Sequence, residues 1–159
     1  MHPVCIRMAL ASGTGSREGT GVQVRVLGSL EIHATGGVAL AVRGARRRLL
    51  LATLVLHRNA LCGLEQLIDV LFAEDPPRSA VGTVQSYVSR LRHDLAVDGE
   101  RLQTRPGGYL LTIDDAELDS ARFEAQVAEA LTSVDTDPAH AAERLVEALA
   151  WWAGDRAFA

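Results

Sequence analysis

Long apolar runs are missing from this sequence. No stretch of the 159 residues approaches the length of a membrane span, and residues 1–10 are too short, and too interrupted by Arg7, for a secretory signal. A membrane is therefore not an expected partner. Cysteine is scarce: Cys5 and Cys62 make neither a disulfide framework nor a CxxC pair, so a reducing cytoplasm is the default compartment. Cys62, beside Leu61 and Leu64, reads as core rather than chemistry. The five histidines (His2, His33, His57, His93, His140) are scattered without metal-ligand spacing, and no nucleophile–base pairing can be read from them. The expectation is accordingly no enzyme, no metal and no cofactor. Lysine is absent, and all sixteen basic residues are Arg. Arg suits bidentate contacts, but a GC-rich genome gives the same bias.

What is present is enough apolar sequence, 48% of the chain, for a real core in one domain or two small ones. The net charge of −4 argues by itself against a nucleic-acid partner. Its distribution reverses that impression. Residues 1–42 hold three Arg and two acids, residues 43–113 hold ten Arg against seven acids, and residues 114–159 hold three Arg against eleven acids. A basic module followed by an acidic one is implied.

The chain is organised around residues 79–95, SAVGTVQSYVSRLRHDL. Val84, Val88, Leu91 and Leu95 recur at helical spacing and predict one buried stripe. Gly82, Thr83, Ser86, Ser89, Arg90 and His93 fall on the other side. That outer face has short polar side chains, one Arg, one His and no carboxylate. A solvated face usually mixes in acids. Such a face suits a major groove, where small residues permit close approach and Arg reaches a guanine edge.

The rest of the chain frames that helix. Residues 1–21 contain a small, polar, Gly-rich stretch and read as a disordered leader; its glycines lack the strand and helix a phosphate-binding loop needs. From Val22, alternation (Val22, Val24, Val26, then Leu30 and Ile32, then Val38, Leu40 and Val42 after Gly36-Gly37) predicts a small antiparallel sheet. Residues 46–57 predict a helix apolar almost all round, hence buried. Its first turn holds Arg46, Arg47 and Arg48, where cations oppose the helix dipole. Either a nearby phosphate backbone rewards them or they form a solvated cluster. Leu64, Leu67, Ile68, Leu71 and Phe72 mark a second helix with Gly63 at its N-cap, ended by Pro76 and Pro77. Ser79 is expected to cap the third helix. A polar loop at 98–100 precedes two strands, 101–104 and 109–113, around the tip Arg105-Pro106-Gly107-Gly108. Beyond it, Asp119 is expected to cap a helix with Phe123, Val127 and Leu131 inside. Asp137-Pro138 starts another with Leu145, Leu149 and Trp152 on its inner face, though Trp151 and Trp152, with little chain left to cover them, are expected to lie at least partly exposed as an apolar patch that invites self-association. The fold class is α+β: a winged helix-turn-helix at 22–113 with an N-terminal antiparallel sheet and a C-terminal hairpin wing, then an α-helical hairpin of helical-repeat type at 114–159.

Five stretches, VLGSLE at 26–31, ARRRLL at 45–50, DPPR at 75–78, VQSYVSRLR at 84–92 and TRPGGY at 104–109, give the chain a family likeness by their order and spacing. It resembles the Streptomyces antibiotic regulatory protein family of transcriptional activators, whose DNA-binding domain is of the OmpR type. Residues 115–159 look like the opening of the bacterial transcriptional activator domain that follows in that family. The resemblance implies a pathway-specific regulator that binds double-stranded DNA head-to-tail, as a homodimer on promoter direct repeats, and recruits RNA polymerase. Such a protein would lie with the nucleoid in the cytoplasm. Carried over by position, Thr83, Gln85, Ser86, Ser89 and Arg90 match the part of the third helix that faces the major groove. Tyr87 and His93 match phosphate contacts, and Thr104 and Arg105 match the wing, which would enter the adjacent minor groove. Phe72 stands where the family often has Trp. The family's activator domain runs to several helical pairs and this chain carries about one, so the expectation is a competent DNA binder that activates poorly. The rival reading is a protein-interaction module that works through its acidic helices.

Overall fold

The computed structural model describes residues 22–34, 37–73 and 75–158; the leader expected at 1–21 lies outside them. Strands β1 (Gln23–Arg25), β2 (Glu31–His33) and β3 (Ala39–Leu40) form an antiparallel sheet in that order. Val24 faces Ile32 and Ile32 faces Leu40 across the register. The period of two turns Val24 and Ile32 into the core and leaves Arg25 and Glu31 outside.

Helix α1 (Ala45–Leu56) follows, with Leu50, Leu51, Leu54 and Val55 buried. It is not buried all round: Leu49 is 42% exposed and Leu56 63%. Its neighbours α2, α3 and the wing cover one side only, so an apolar residue at every angle does not require a partner at every angle. The chain then turns at Asn59, which sits in the left-handed region at φ 62, a conformation Asn tolerates. The Asn59 side chain donates to the Ile113 carbonyl at 2.7 Å and accepts from the Ile113 N–H at 3.1 Å, fastening this turn to the end of the wing.

Three residues the sequence pattern does not mark as a strand come next. β4 (Leu61–Gly63) leads straight into α2 (Leu64–Phe72), with Gly63 at the N-cap as expected and Leu67 and Leu71 buried. Cys62 is fully buried, and burial pushes its thiol pKa up, which suits a core residue and not a nucleophile. After Pro76 and Pro77, α3 (Ala80–Asp94) buries Ala80, Val84, Val88 and Leu91. Ser79 occupies its N-cap position, but its side chain makes no capping bond. Instead the Thr83 hydroxyl donates to the Ser79 carbonyl at 3.0 Å.

The expected polar loop at 98–100 is a 3-10 turn, Ala96–Arg101, with Asp98 and Gly99 buried. Arg101 explains why acids fold inward here: its Nε lies 3.3 Å from Asp98 Oδ1 and its Nη1 2.7 Å from Glu117 Oε2. Burial works against that charge, yet the Glu117 hydrogen bond and the Glu117 and Asp98 charges prevail and raise the Arg101 pKa above its usual value. Strands β5 (Leu102–Arg105) and β6 (Gly108–Leu111) complete the wing, and β4 joins them in the order β4-β6-β5.

The acidic part is helical, as expected: α4 (Asp119–Thr132) and α5 (Pro138–Leu149). Asp137 caps α5 by accepting from the His140 N–H at 3.0 Å. Asp119, by contrast, is the first residue of α4, and Leu118 is its N-cap. The Asp119 carboxylate accepts from the backbone N–H of Val26 (2.9 and 3.0 Å), Leu27 (3.0 Å) and Ser120 (2.8 Å). The residues after α5 return to the same loop, where Ala153 N–H donates to the Leu27 carbonyl and Phe158 N–H to the Val26 carbonyl, both at 2.8 Å. The helical pair is thus sewn onto the end of β1. Its own interior differs from the helical spacing, because Leu131 and Leu149 are 58% and 60% exposed, while Trp152 is partly exposed, at 37%, as expected. The small Ala130, Ala141 and Ala148 are buried between the helices instead.

Candidate nucleic-acid interface

The candidate surface is built by burying one face of α3. With Val84, Val88 and Leu91 below 2% exposed, the opposite side is presented to solvent by geometry alone. Gly82, Gln85, Ser86, Ser89, Arg90 and His93 are exposed there, and Thr83 is half-exposed. Gln85 belongs to this open face, which its position on a helical wheel left at the flank. Arg90 has no hydrogen-bonding or ionic partner among the described residues, so its guanidinium is available to a ligand. The one carboxylate on α3, Asp94, lies at the C-terminal end and is neutralised by Arg47 at 3.0 Å. The exposed positions of this face therefore carry no acid that would repel an anionic ligand.

Other expected residues are placed less simply. Tyr87 is half-buried, packed against the core. Arg47 is tied to Asp94, and the Arg46 guanidinium sits over the Phe72 ring at 5.1 Å. Both are anchored by the fold at the N-terminus of α1, beside the C-terminal end of α3. Arg48 is exposed in the same turn and has an interaction of its own.

The wing tip is a two-residue turn, Pro106-Gly107, between the paired Arg105 and Gly108. Gly107 takes φ 83, and proline followed by a positive-φ glycine is the sequence of a type II turn. Gly108 serves a different purpose from the close approach to a ligand that the basic tip suggests. A β-carbon there would collide with the Cys62 carbonyl of β4, so this glycine admits the third strand. Arg105 and Thr104 are exposed, and Arg105 Nη2 donates to Gln103 Oε1, which holds the tip cation along the strand.

Two residues were not singled out by sequence reasoning. Val81, 45% exposed at the start of α3, adds an apolar side chain to the open face, of a kind that can meet a thymine methyl. Arg92 reaches from α3 to β5 (Nε to the Leu102 carbonyl, 2.7 Å; Nη2 to Thr104 Oγ1, 2.8 Å). No periodicity could reveal it, because its partners come from a strand whose position depends on the tertiary fold.

Three helices, with the last one open on its polar side and a basic hairpin beside it, define a winged helix-turn-helix of the kind found in transcriptional regulators. A family model described as "Transcriptional regulatory protein, C terminal" matches residues 42–111, from the end of the first sheet to the last strand of the wing. The likeness to the Streptomyces antibiotic regulatory protein family is carried further by individual relatives. The chain is 31% identical over 142 residues to the transcriptional regulator RedD of Streptomyces coelicolor, covering 84% of this chain and 39% of RedD. It is 37% identical over 122 residues to the regulatory protein AfsR of the same organism, covering 75% of this chain and 12% of AfsR. The solved structure of Mycobacterium tuberculosis EmbR in complex with a low affinity phosphopeptide superposes with a TM-score of 0.77 at 32% identity, covering 85% of this chain and 37% of that one. The chain thus spans about two fifths or less of the length of these relatives. They are named as regulators, not enzymes. No helix among the described residues is long and apolar enough to cross a membrane.

Proposed function

We propose that this chain is a sequence-specific DNA-binding regulator that reads promoter direct repeats, with α3 in the major groove and the β5–β6 wing in the adjacent minor groove. The observation that carries the reading is the open face of α3: exposed Gln85, Ser86, Ser89 and an unpartnered Arg90, with no exposed acid among them. In this reading Arg90, Gln85, Ser86, Ser89 and Thr83 contact bases or their immediate surroundings. His93, Tyr87, Thr104 and the arginines at the start of α1 take phosphates, and Arg105 enters the minor groove. Phosphate contacts by Arg46 and Arg47 would use guanidinium edges left over from Phe72 and Asp94. Head-to-tail pairing of two copies on the repeats, contact with RNA polymerase and a place on the nucleoid follow from the family and belong to the proposal.

The test is a footprint of the chain on the DNA upstream of its own gene, titrated with salt. Short direct repeats protected at one helical-turn spacing, with affinity falling steeply as salt rises, are expected. Protection without sequence preference would reduce the chain to a nonspecific binder, and no protection at low salt would overturn the reading. The second reading, a protein-interaction module, draws on the exposed Leu131, Val146, Leu149 and Trp152 of the acidic helices. It predicts partner binding that survives substitution of Arg90.

A further inference from the structure

We propose that Arg92 is the positioning residue that fixes the wing against α3, and so sets the distance between the two grooves the protein reads. The inference rests on the DNA-binding reading above but comes from a different set of contacts. β5 is the edge strand of the wing sheet, with no strand among the described residues paired on its outer side. Thr112 N–H donates to the Arg101 carbonyl, so residues 101, 103 and 105 turn their backbone groups toward β6. Leu102 and Thr104, between them, turn theirs outward. Arg92 lies in the last turn of α3 and spans that edge. Its Nε takes the outward Leu102 carbonyl at 2.7 Å and its Nη2 takes Thr104 Oγ1 at 2.8 Å.

The backbone of the same residue is gripped as well. A β-carbon on Gly99 would stand 2.5 Å from the Arg92 carbonyl oxygen, so the 3-10 turn lies directly against the end of α3. Arg92, Gly99, Leu102 and Thr104 thus close a small ring between helix and hairpin. Among the described residues, the Arg92 bonds are the ones that run from an α3 side chain to the wing. The planar guanidinium satisfies two acceptors at fixed geometry, which an ammonium on a flexible stem does not reproduce. A helix and a hairpin that contact two grooves must keep a fixed separation, because misplacement of either loses its contact.

The alternative is that Arg92 simply holds a phosphate, and it is separable by experiment. A duplex is selected by the wild-type chain from a randomised pool, and a double-mutant cycle is run on it with Arg92→Met, Arg105→Ala and both. With a fixed wing, Arg105→Ala is expected to weaken binding roughly tenfold, but less than about threefold in the Arg92→Met background, because an unanchored wing has already lost its contact. Arg92→Lys is expected to behave like Arg92→Met. Losses that multiply to within about twofold, together with rescue by Arg92→Lys, would overturn the proposal and make Arg92 a phosphate ligand. A second arm needs no DNA: amide hydrogen exchange in β5 and β6 should quicken about tenfold in Arg92→Met while α1 keeps its protection, which also reports that the variant is folded. Thr104→Val, which removes one acceptor from the other end, should show the same change more weakly. Unchanged hairpin exchange in both variants overturns the proposal whatever the DNA result. Failure of the wild-type chain to select any duplex would instead sink the DNA-binding reading, with the exchange arm still deciding the role of Arg92.

Discussion

Helices α3 and α5 carry similar apolar spacing and end up in opposite situations. In α3 the stripe of Val84, Val88 and Leu91 is almost completely covered, in a helix that packs on α1, α2 and the 3-10 turn Ala96–Arg101. What remains outside is polar, acid-poor and free for chemistry. In α5 the covered residues are the alanines Ala141 and Ala148, while Val146 and Leu149 stand 68% and 60% exposed. The difference teaches that helical periodicity announces an apolar face but not its partner. α3 sits in the middle of its module, with neighbours on several sides. α5 packs chiefly on α4, and a two-helix contact through small residues leaves the larger ones outside.

The comparison is sharpened most by truncating the matched leucines. Leu91→Ala should cost about 2–5 kcal/mol in urea denaturation, as expected for a fully enclosed side chain that leaves a cavity. A loss below 1 kcal/mol would mean that the α3 stripe is not the keel of the module. Next comes the joint between the two regions. Asp119→Ala strands the N–H groups of Val26 and Leu27. At about 1–3 kcal/mol per unsatisfied buried donor, the expected loss is about 3 kcal/mol, and Asp119→Asn should recover part of it. The same bonds imply that deleting residues 115–159 destabilises the N-terminal sheet, so the winged helix should lose thermal stability even where its DNA contacts survive.

Smaller effects test the open face directly. Arg90→Ala removes an unpartnered guanidinium and should leave stability nearly unchanged while costing about 1–3 kcal/mol at the cognate site, with relaxed preference at one base pair. Equal weakening on every sequence would reassign Arg90 to phosphate. Arg105→Ala should cost less than a full base contact at Arg90, about 1.4 kcal/mol or roughly tenfold, and most at A·T-rich flanks, where a narrow minor groove concentrates negative potential. Measuring the two variants on duplexes that differ only in those flanks separates wing from helix.

Much of this was legible in the sequence because it depends on local rules. Val24 and Ile32 alternate at period two, Val84 to Leu91 repeat at helical spacing, and Pro106-Gly107 names its own turn. What was not legible depends on residues distant in the chain. β4 is three residues long, below what any pattern resolves, and it exists because β6 offers it an edge; Gly108 is glycine for that reason. Asp119 carries an N-cap signature, yet its carboxylate is taken by N–H groups 92 and 93 positions away. Arg47 looked like a phosphate ligand or a solvated cation until Asp94, 47 residues on, came to meet it. At the interface, the open face of α3 was readable from one helix, whereas the Arg92 contact required the strand it spans.

The smallest effect completes the comparison. Leu149→Ala removes as many atoms as Leu91→Ala from a helix position that the sequence makes equally apolar. Leu149 is 60% exposed, so most of its surface is already hydrated in the folded chain and little transfer free energy is lost on truncation. No enclosed cavity forms, because solvent fills the space. The expected change is within about 0.5 kcal/mol, against several for Leu91. Trp152→Ser should cost somewhat more, since the ring meets Phe123 edge-on at 6.1 Å and such pairs contribute about 0.5–1.5 kcal/mol beyond area. Both are measured in the same urea titrations, and Trp151 fluorescence reports the unfolding of this region in each variant. A loss of 2 kcal/mol or more for Leu149→Ala, a typical cost for a buried leucine, would show that this face is covered in solution, and the contrast between the two helices would then lie in their partners and not in their exposure.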